Sequence, residues 1–279
     1  MGTPKASVVI CTMGQPTKVL ECLKKQTFQD FEVIIASEKG IVNAMNKALA
    51  RAKGEIFVRI DDDVDLPEKW LEHLLKPFSE PDVVGVTGPT LVPWPLRKNR
   101  DSINIFEKPN LFLRWLTECG SFNPGGIYKC GMVSYDSNYQ ERFHPQVLSG
   151  EALLIKYHNP DHLEGTNWAM RTDLIKMVGG FDLKFNGVCE WFDTDVEKKI
   201  LDWGRNALGK DFRLIYQPPA YLWHLLEYGE NYNERFAASG RIKNWIRFHY
   251  RHSKFHWKMV IFLIVWIGYF IQARFRCKK

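Results

Sequence analysis

Short apolar runs alternate with amphipathic stretches along the first ninety residues of the chain. The apolar runs predict buried strands at residues 7–11, 31–36, 56–60 and 83–86. Between them, apolar residues at helical spacing predict helices at residues 16–26, 41–52 and 67–78. Short apolar strands separated by helices are typical of a parallel sheet covered on both faces. The pattern therefore predicts a doubly wound α/β domain.

The pattern changes in the second part of the chain. Residues 92–160 are rich in Pro, Asn, Gly and aromatic residues and show no sustained period, which is typical of a functional loop when it lies inside a domain. Regular patterning returns over residues 163–178, 194–203 and 212–216, and the second of these predicts a helix. A basic aromatic helix is predicted at 241–254, and an uninterrupted apolar run follows at 259–271.

Three consecutive carboxylates, Asp61, Asp62 and Asp63, directly follow the third predicted strand. Their repulsion is costly unless a positive group lies beside them, and Mg²⁺ or Mn²⁺ with oxygen ligands is a natural partner. A solvated turn that caps the next helix accounts for the triplet equally well. Ligands of such sheets bind beyond the carboxyl ends of the strands. The loops after residues 11, 36 and 60 are therefore expected to line one crevice.

Four segments together resemble the inverting family 2 glycosyltransferases. They read SVVICT from Ser7, KGIVNAMNKALARAKGEIFVRIDDDV from Lys39, EGTNWAMRTDLIKMVGGFD from Glu164 and FDTDVEKKILDWG from Phe192. The resemblance covers residues 6–90 and 163–226, and archaeal-type members with a hydrophobic C-terminal tail are the most similar. It implies the GT-A fold, a Rossmann-like and mainly parallel mixed sheet with helices on both faces and an Asp-x-Asp metal motif. It also implies sugar transfer from a nucleotide diphosphate sugar, with UDP as the favoured nucleotide, to an acceptor hydroxyl.

The same resemblance implies roles for individual residues. Those implied to contact the donor are Thr12, Glu38, Asn46, Asp61 and Asp62. Those implied to bind Mn²⁺ or Mg²⁺ are Asp63 and His224, with Asp61 as a further candidate. Glu164 is implied to face the same crevice, as a candidate for contact with the acceptor. Trp168 and Arg171 are candidates for contact with the acceptor or the diphosphate, with a core position for Trp168 and a surface position for Arg171 as the alternatives. The implied catalytic base is Asp193, with Glu190 as the competing acid.

Structural readings of these positions stay open beside the functional ones. His224 lies next to Trp223, which also fits a place on an aromatic face. Asp193 fits the N-cap of the helix predicted at 194–203, where the helix dipole is expected to lower its pKa and keep it ionised. Two positions depart from the family pattern: Glu38 stands where the family usually has Asp, and Phe192 stands where it commonly has Glu.

Charge is segregated along the chain. Residues 241–279 hold ten of the 38 Lys and Arg residues and no acidic residue, which leaves the first 240 residues with a net charge of −4. A nucleic-acid-binding protein more often carries a basic stripe on its folded body, so no nucleic-acid partner is expected. A basic tail beside an apolar run indicates an anionic membrane surface.

The tail admits three interpretations. The apolar run at 259–271 is shorter than the about twenty residues of a spanning helix. The helix at 241–254, with Trp245, Ile246, Phe248 and Tyr250 among basic residues, suits the membrane interface. We therefore expect C-terminal membrane-associated helices that anchor the protein at the cytoplasmic face of the cell membrane. Spanning and burial in the core are the alternatives.

The chain is thus expected to consist of a GT-A domain at 1–230 and a tail at 231–279. Within the domain, residues 1–90 form the nucleotide-binding half and residues 91–230 the acceptor half. The tail favours an acceptor on a lipid-linked glycan or a surface polysaccharide. The alternatives are transfer to a polyprenol phosphate and a sugar-nucleotide-binding protein without turnover. The chain has no GxGxxG after its first strand, no P-loop motif and no CxxC pair, which argues against dinucleotide enzymes, P-loop enzymes and zinc sites.

Overall fold

Strands and helices alternate along the first part of the computed structural model, as the apolar pattern predicts. The first elements are β1 (Ala6–Cys11), α1 (Thr17–Lys24), β2 (Phe31–Ala36), α2 (Ile41–Arg51) and β3 (Ile56–Asp61). They are followed by β4 (Val64–Asp65), α3 (Trp70–Leu75), a 3-10 turn at Lys76–Ser79, β5 (Val83–Thr87) and β6 (Thr90–Leu91). The structure describes residues 2–91, 163, 165–185, 191–225, 238–252 and six positions between 260 and 268.

The later elements carry the rest of the sheet. They are β7 (Asn167–Arg171), α4 (Thr172–Met177), a 3-10 turn at Leu183–Phe185, α5 (Phe192–Leu208), β8 (Arg213–Tyr216), β9 (Leu222–His224) and α6 (Ala238–His252). The predicted loop at 92–160 and most of the apolar run at 259–271 lie outside the described residues.

Two predicted helices have different bounds in the structure. The helix expected at 67–78 is α-helical only over Trp70–Leu75, because Pro77 has no N–H to continue the α pattern and the chain tightens into a 3-10 turn. α5 begins two residues before the expected 194 and runs on to Leu208, where Gly209 ends it at a φ of 62°. A left-handed glycine is a common helix terminator.

The described strands form one mixed, mainly parallel sheet and one small sheet. The order in the larger sheet is β2-β1-β3-β7-β5-β8. β1 is parallel to both β2 and β3, and β5 is parallel to β8, whereas β7 is antiparallel to both of its neighbours. The smaller sheet has the order β4-β9-β6 and lies at the end of β3, where the acidic triplet leaves the larger sheet.

Helices cover both faces of the larger sheet, because consecutive residues of its central strands point to opposite faces and are buried on both. On one face, α1 and α3 pack on side chains such as Val8, Ile10 and Val58. On the other face, α2, α4, α5 and α6 pack on side chains such as Val9 and Phe57. Successive residues of one strand therefore belong to different cores, which explains why the strands read as continuous apolar runs.

α6 is part of this second core. Its Trp245 and Phe248 are 2% and 0% exposed, whereas Ile246 and Tyr250 are exposed on the other side of the helix. Trp245 and Phe248, two of the residues by which this helix suits the membrane interface in the sequence, therefore pack in the core. Within the described part of the chain, no helix is long and apolar enough to cross a bilayer.

Candidate active site

The ends of β1 and β3 place two predicted residues in contact. Cys11 and Asp61 are partners in the parallel ladder, so the residues that follow them leave the sheet side by side. The Thr12 hydroxyl donates a hydrogen bond to Asp62 Oδ2 and accepts one from the Gly14 backbone N–H at 2.9 Å. The loops after residues 11 and 60 therefore lie side by side at this end of the sheet.

Asp61, Asp63 and His224 come together beside this contact. One ligand atom of each lies within 4.8 Å of those of the other two. β9 supplies the histidine: its His224 is the ladder partner of Val64, so the ring comes over the acidic triplet. His224 Nε2 lies 3.0 Å from an Asp63 oxygen. Asp63 and His224 are 161 positions apart in the sequence, and the fold brings them into one cluster.

This donor set fits a hard or borderline divalent cation. Two carboxylate oxygens and one imidazole nitrogen are ligands that Mn²⁺ accepts, and Mg²⁺ is satisfied by the carboxylates with phosphate oxygens. All three side chains are partly exposed, which leaves room for a substrate oxygen. Burial raises the pKa of Asp62, and the neighbouring Asp63 and Asp61 carboxylates add to the rise against the Thr12 hydrogen bond.

Asp193 is a buried carboxylate at the start of α5. It is 6% exposed, and its Oδ1 accepts a hydrogen bond from the Thr194 backbone N–H at 2.9 Å. It lies inside the first turn, because the N-cap position is Trp191. Burial raises the pKa of Asp193 above its usual range, against the opposing charge of Arg59. The expected lowering of this pKa by the helix dipole is therefore outweighed by burial.

The backbone before Asp193 adopts an uncommon conformation. Trp191 has a φ of 73°, the one positive φ of a non-glycine residue in the described chain. Its ring packs 4.9 Å from that of Phe248 and 5.4 Å from that of His249, both on α6. Bulky residues adopt this conformation at a cost, and such outliers cluster at functional sites. α6 thus helps to hold the turn from which α5 begins.

Arg59 contacts the acidic triplet and lies close to Asp193. Its Nη2 lies 2.7 Å from Asp61 Oδ1. A methyl group built on Gly165 would lie 3.6 Å from Arg59 Nη1 and 3.4 Å from Asp193 Oδ2, so these two atoms lie within about 7 Å of each other. The Thr166 hydroxyl, from the same turn, donates to Asp61 Oδ2 at 3.3 Å. The turn before β7 thus borders both acids.

A second buried acid lies one turn after Asp193. Glu197 is 1% exposed, and its Oε2 accepts a hydrogen bond from the Leu163 backbone N–H at 3.1 Å. Burial and the nearby Asp193 carboxylate raise its pKa well above the usual value.

Three predicted contacts do not reach the crevice. The Asn46 amide donates to the Phe181 carbonyl at 2.7 Å and accepts from the Phe181 N–H at 3.0 Å, so it fastens the turn after α4 to α2. Trp168 is 0% exposed and packs against Phe57 in the core. Arg171 is the ladder partner of Ile56, at the opposite end of β3 from Asp61. Its guanidinium donates to backbone carbonyls of the segment before β5.

The remaining predicted residues have less contact with the cluster. Glu38 follows β2, and its Oε2 is buried without a hydrogen-bond partner among the described residues. Glu164 and Glu190 lie outside the described residues.

Arg59 and Glu197 were missed in the sequence. A signal existed for Arg59, because an arginine inside the apolar run IFVRI is rarely buried without a partner. Glu197 has a weaker signal, its position four residues after Asp193 on a predicted helix, which places both on one face.

Comparisons with known proteins agree on the fold. The family profile described as "Glycosyl transferase family 2" matches residues 17–178. A mannosyltransferase from Pyrobaculum calidifontis in complex with GDP-Man and Mn²⁺ is 16% identical, with a TM-score of 0.50 over 94% of this chain and 68% of that one. GalNAc-T7 with UDP, GalNAc and Mn²⁺ is 14% identical, with a TM-score of 0.52 over 89% of this chain. No curated protein sequence matches the chain.

The chain spans about half of GalNAc-T7, 48% of its length. At these identities the two structures establish the fold alone, and the expected GT-A-like α/β architecture is confirmed.

Proposed function

Because the chain belongs to glycosyl transferase family 2, we propose that it moves a sugar from a nucleotide diphosphate sugar to an acceptor hydroxyl with inversion. It is a glycosyltransferase, and the proposal concerns its donor, acceptor and chemistry. The observation that carries it is the meeting of Asp61, Asp63 and His224 in one cluster, with the buried Asp193 carboxylate on the far side of Arg59.

The donor diphosphate requires a positive charge at the acidic triplet. Asp61, Asp63 and His224 would hold Mn²⁺ or Mg²⁺, which supplies charge that stabilises the departing diphosphate. Thr12, Asp62 and Glu38 line the same crevice on the nucleoside side. The similar structures hold GDP-Man in one case and UDP in the other, so both nucleotides are candidates, with UDP favoured by the sequence resemblance.

Asp193 would act on the acceptor. Its carboxylate takes the proton of the acceptor hydroxyl as that oxygen attacks the anomeric carbon and the bond to the diphosphate breaks. A single displacement of this kind inverts the anomeric carbon. The raised pKa that burial gives Asp193 suits a base, because a carboxylate of higher pKa binds the proton more strongly.

The acceptor and the location are proposed from the tail. We propose a lipid-linked glycan or surface polysaccharide as acceptor, at the cytoplasmic face of the cell membrane. Val260, Ile264 and Ile267 are exposed apolar residues at helical spacing, in a region that carries only basic charge. The same charge favours a polyprenol phosphate as the second candidate acceptor, since a phosphate is an anionic partner.

The metal role can be tested by calorimetry with UDP and with GDP, each in Mn²⁺, Mg²⁺ or chelator. We expect at least tenfold weaker nucleotide binding in chelator, because the diphosphate then meets uncompensated carboxylates. Asp63→Ala is expected to abolish the metal dependence. Asp65→Ala is the matched control, since Asp65 lies two residues further on β4 and contacts Cys22 rather than His224. Equal affinity with metal and chelator would contradict the metal role of Asp63.

A further inference from the structure

Arg59 occupies an unusual place for a charged residue. It lies in the middle of β3, between Val9 of β1 and Trp168 of β7 in the ladders, and it is 5% exposed. Taking a guanidinium out of water is costly, and the cost is recovered only through close, well-oriented partners. An apolar residue would fill this position of β3 without that cost. The arginine is therefore expected to have a role in the contacts that it makes.

The partners of Arg59 belong to both halves of the proposed site. Nη2 lies 2.7 Å from Asp61 Oδ1, while Nη1 and Asp193 Oδ2 border the same space left by Gly165. The guanidinium also lies over the Phe192 ring, with Cζ 5.9 Å from its centroid. Because Gly165 has no side chain, no atom of that residue beyond its backbone stands between the guanidinium and Asp193.

The charges around Asp193 give this contact its importance. The groups that face its carboxylate among the described residues are Arg59 from β3, Thr194 from its own turn and Glu197 from the next turn of α5. Of these, Arg59 carries the positive charge. A buried carboxylate without a counter-charge takes up a proton and ceases to be a base.

We propose that Arg59 is a positioning residue of this glycosyltransferase, whose guanidinium pairs with Asp61 and lies close to Asp193 and so fixes the position of the two carboxylates relative to each other. The proposal rests on the proposed function for the meaning of the two acids, but the contact itself does not depend on it. Arg59 thereby sets the base at a constant place relative to the donor site. A planar fork can serve two carboxylates at once, which the single ammonium of a lysine cannot do with the same geometry.

A double-mutant cycle tests the coupling without any substrate. Unfolding by urea at pH 7 is measured for Arg59→Met, Asp193→Asn and the double variant. We expect the unfolding equilibrium constant to depart from additivity at least fivefold, because Asp193→Asn is less damaging once its counter-charge is gone. The matched control is Arg171→Met, which removes a guanidinium from the same sheet that lies over Phe78 but touches neither acid. Its cycle with Asp193→Asn is expected to be additive within about twofold.

A second readout separates positioning from mere stability. With Mn²⁺ and UDP or GDP, Arg59→Met is expected to bind nucleotide about tenfold more weakly, while Arg171→Met binds as the native chain does. Arg59→Lys, which keeps the charge, should recover part of the loss. With a donor found by calorimetry, Arg59→Met should also move the acid limb of the kcat profile to higher pH. Should Arg59→Met fail to fold, Arg59→Gln carries the same cycle.

Each outcome of these experiments either supports or overturns the proposed role of Arg59. Coupling below fivefold in the Arg59 cycle, or equal coupling in the Arg171 cycle, overturns the proposal, because Arg59 would then be only a buried structural residue. Coupling above that value with no nucleotide binding to the native chain supports the coupling of Arg59 to Asp193 and instead contradicts the proposed function.

Discussion

Asp193 and Glu197 show how one helix turn separates two acids with different tasks. Both are buried on α5, four residues apart. Arg59 opposes the effect of burial on Asp193, whereas Asp193 itself adds to the effect of burial on Glu197. Arg59 thus favours the ionised form of Asp193, which is the form that the proposed base requires.

Asp193→Asn tests the base directly. Asparagine keeps the Oδ1 atom that accepts the Thr194 N–H, so the first turn of α5 and the nucleotide affinity should change little. The loss of charge beside Arg59 should lower the stability of the fold, which the double-mutant cycle measures separately. Turnover is expected to fall by about 10²–10⁴, the usual contribution of a general base. In the native enzyme, the acid limb of the pH–rate profile should lie above the usual range of an aspartate, since burial raises this pKa.

Glu190→Gln is the comparison variant, because Glu190 is the competing acid in the sequence. It is expected to keep near-native turnover. Loss of turnover in Glu190→Gln together with normal turnover in Asp193→Asn would assign the base to Glu190 instead. Melting temperatures of both variants show whether unfolding contributes to either result.

Single residues of the site could be predicted to different extents. The acidic triplet was visible because three adjacent carboxylates at a strand exit demand a partner, and the structure brings His224 to it. Asn46, Trp168 and Arg171 were candidates for contact with a ligand. In the structure Trp168 packs in the core, and the side chains of Asn46 and Arg171 form hydrogen bonds with the backbone. A one-dimensional pattern does not reveal which end of a strand a residue faces, nor that the fork of Arg59 reaches two separate segments.

At the scale of elements, α5 and α6 are joined by a cluster of ion pairs around Asp195. This carboxylate is 0% exposed and lies 2.6 Å from Arg251 Nη1, 2.8 Å from His252 Nε2 and 2.6 Å from Lys199 Nζ. Arg251 also pairs with Asp182 at 2.6 Å, so the cluster includes the turn after α4. Burial pushes the pKa of Asp195 up, but the His252 hydrogen bond and the pairs with Lys199 and Arg251 outweigh it and lower the pKa.

Asp195→Asn should therefore destabilise the fold by about 3 kcal/mol at pH 7, because it removes the buried charge that Lys199 and Arg251 pair with. A lowered pKa stabilises the folded state above the unfolded pKa near 4, and this contribution is lost as the pH falls through the folded pKa. The gap between variant and native chain should thus shrink below about pH 4. Urea unfolding at a series of pH values measures it.

The control is Asp202→Asn, on the same helix, whose pair with Lys198 lies at the surface. Surface pairs contribute about 0–1 kcal/mol, so a small loss is expected. Equal losses in the two variants would show that the Asp195 cluster adds nothing beyond a surface pair.

The elements themselves were largely predictable, since their bounds follow from apolar periodicity. Their order in the sheet was not. β7 lies antiparallel between β3 and β5, and nothing in the sequence pattern of a strand states its neighbours. β4 and β6 are two residues long, too short for any period to be visible, yet β4 positions the metal ligands.

At the scale of the whole molecule, the C-terminal region is divided between core and surface. Ile261 and Leu263 pack against the second core together with α6, whereas Val260, Ile264 and Ile267 are exposed. Removing the region entirely would therefore cost core contacts as well as the proposed membrane contact. A point substitution on the exposed side separates the two.

Ile264→Glu should reduce binding to vesicles that contain phosphatidylglycerol, because it places a negative charge and a polar group in the proposed contact. Sedimentation with phosphatidylcholine vesicles, with and without phosphatidylglycerol, measures the bound fraction. The matched control is Leu208→Glu, another exposed apolar residue, at the end of α5. Native protein that stays in the supernatant with anionic vesicles would contradict the membrane proposal, as would equal losses in the two variants.

The Asp195 cluster joins residues that lie far apart in the sequence, so its members are synthesised at different times. Arg251 and His252 follow Asp195 by 56 and 57 residues. At about 5–20 residues per second, a ribosome adds them roughly 3–11 s after it has made the start of α5. During that interval Lys199 is the one cationic partner of the cluster already synthesised, so the carboxylate is better solvated by water than by protein. The sheet can form early, but the helix that carries the proposed base settles only once the last helix of the body has been made.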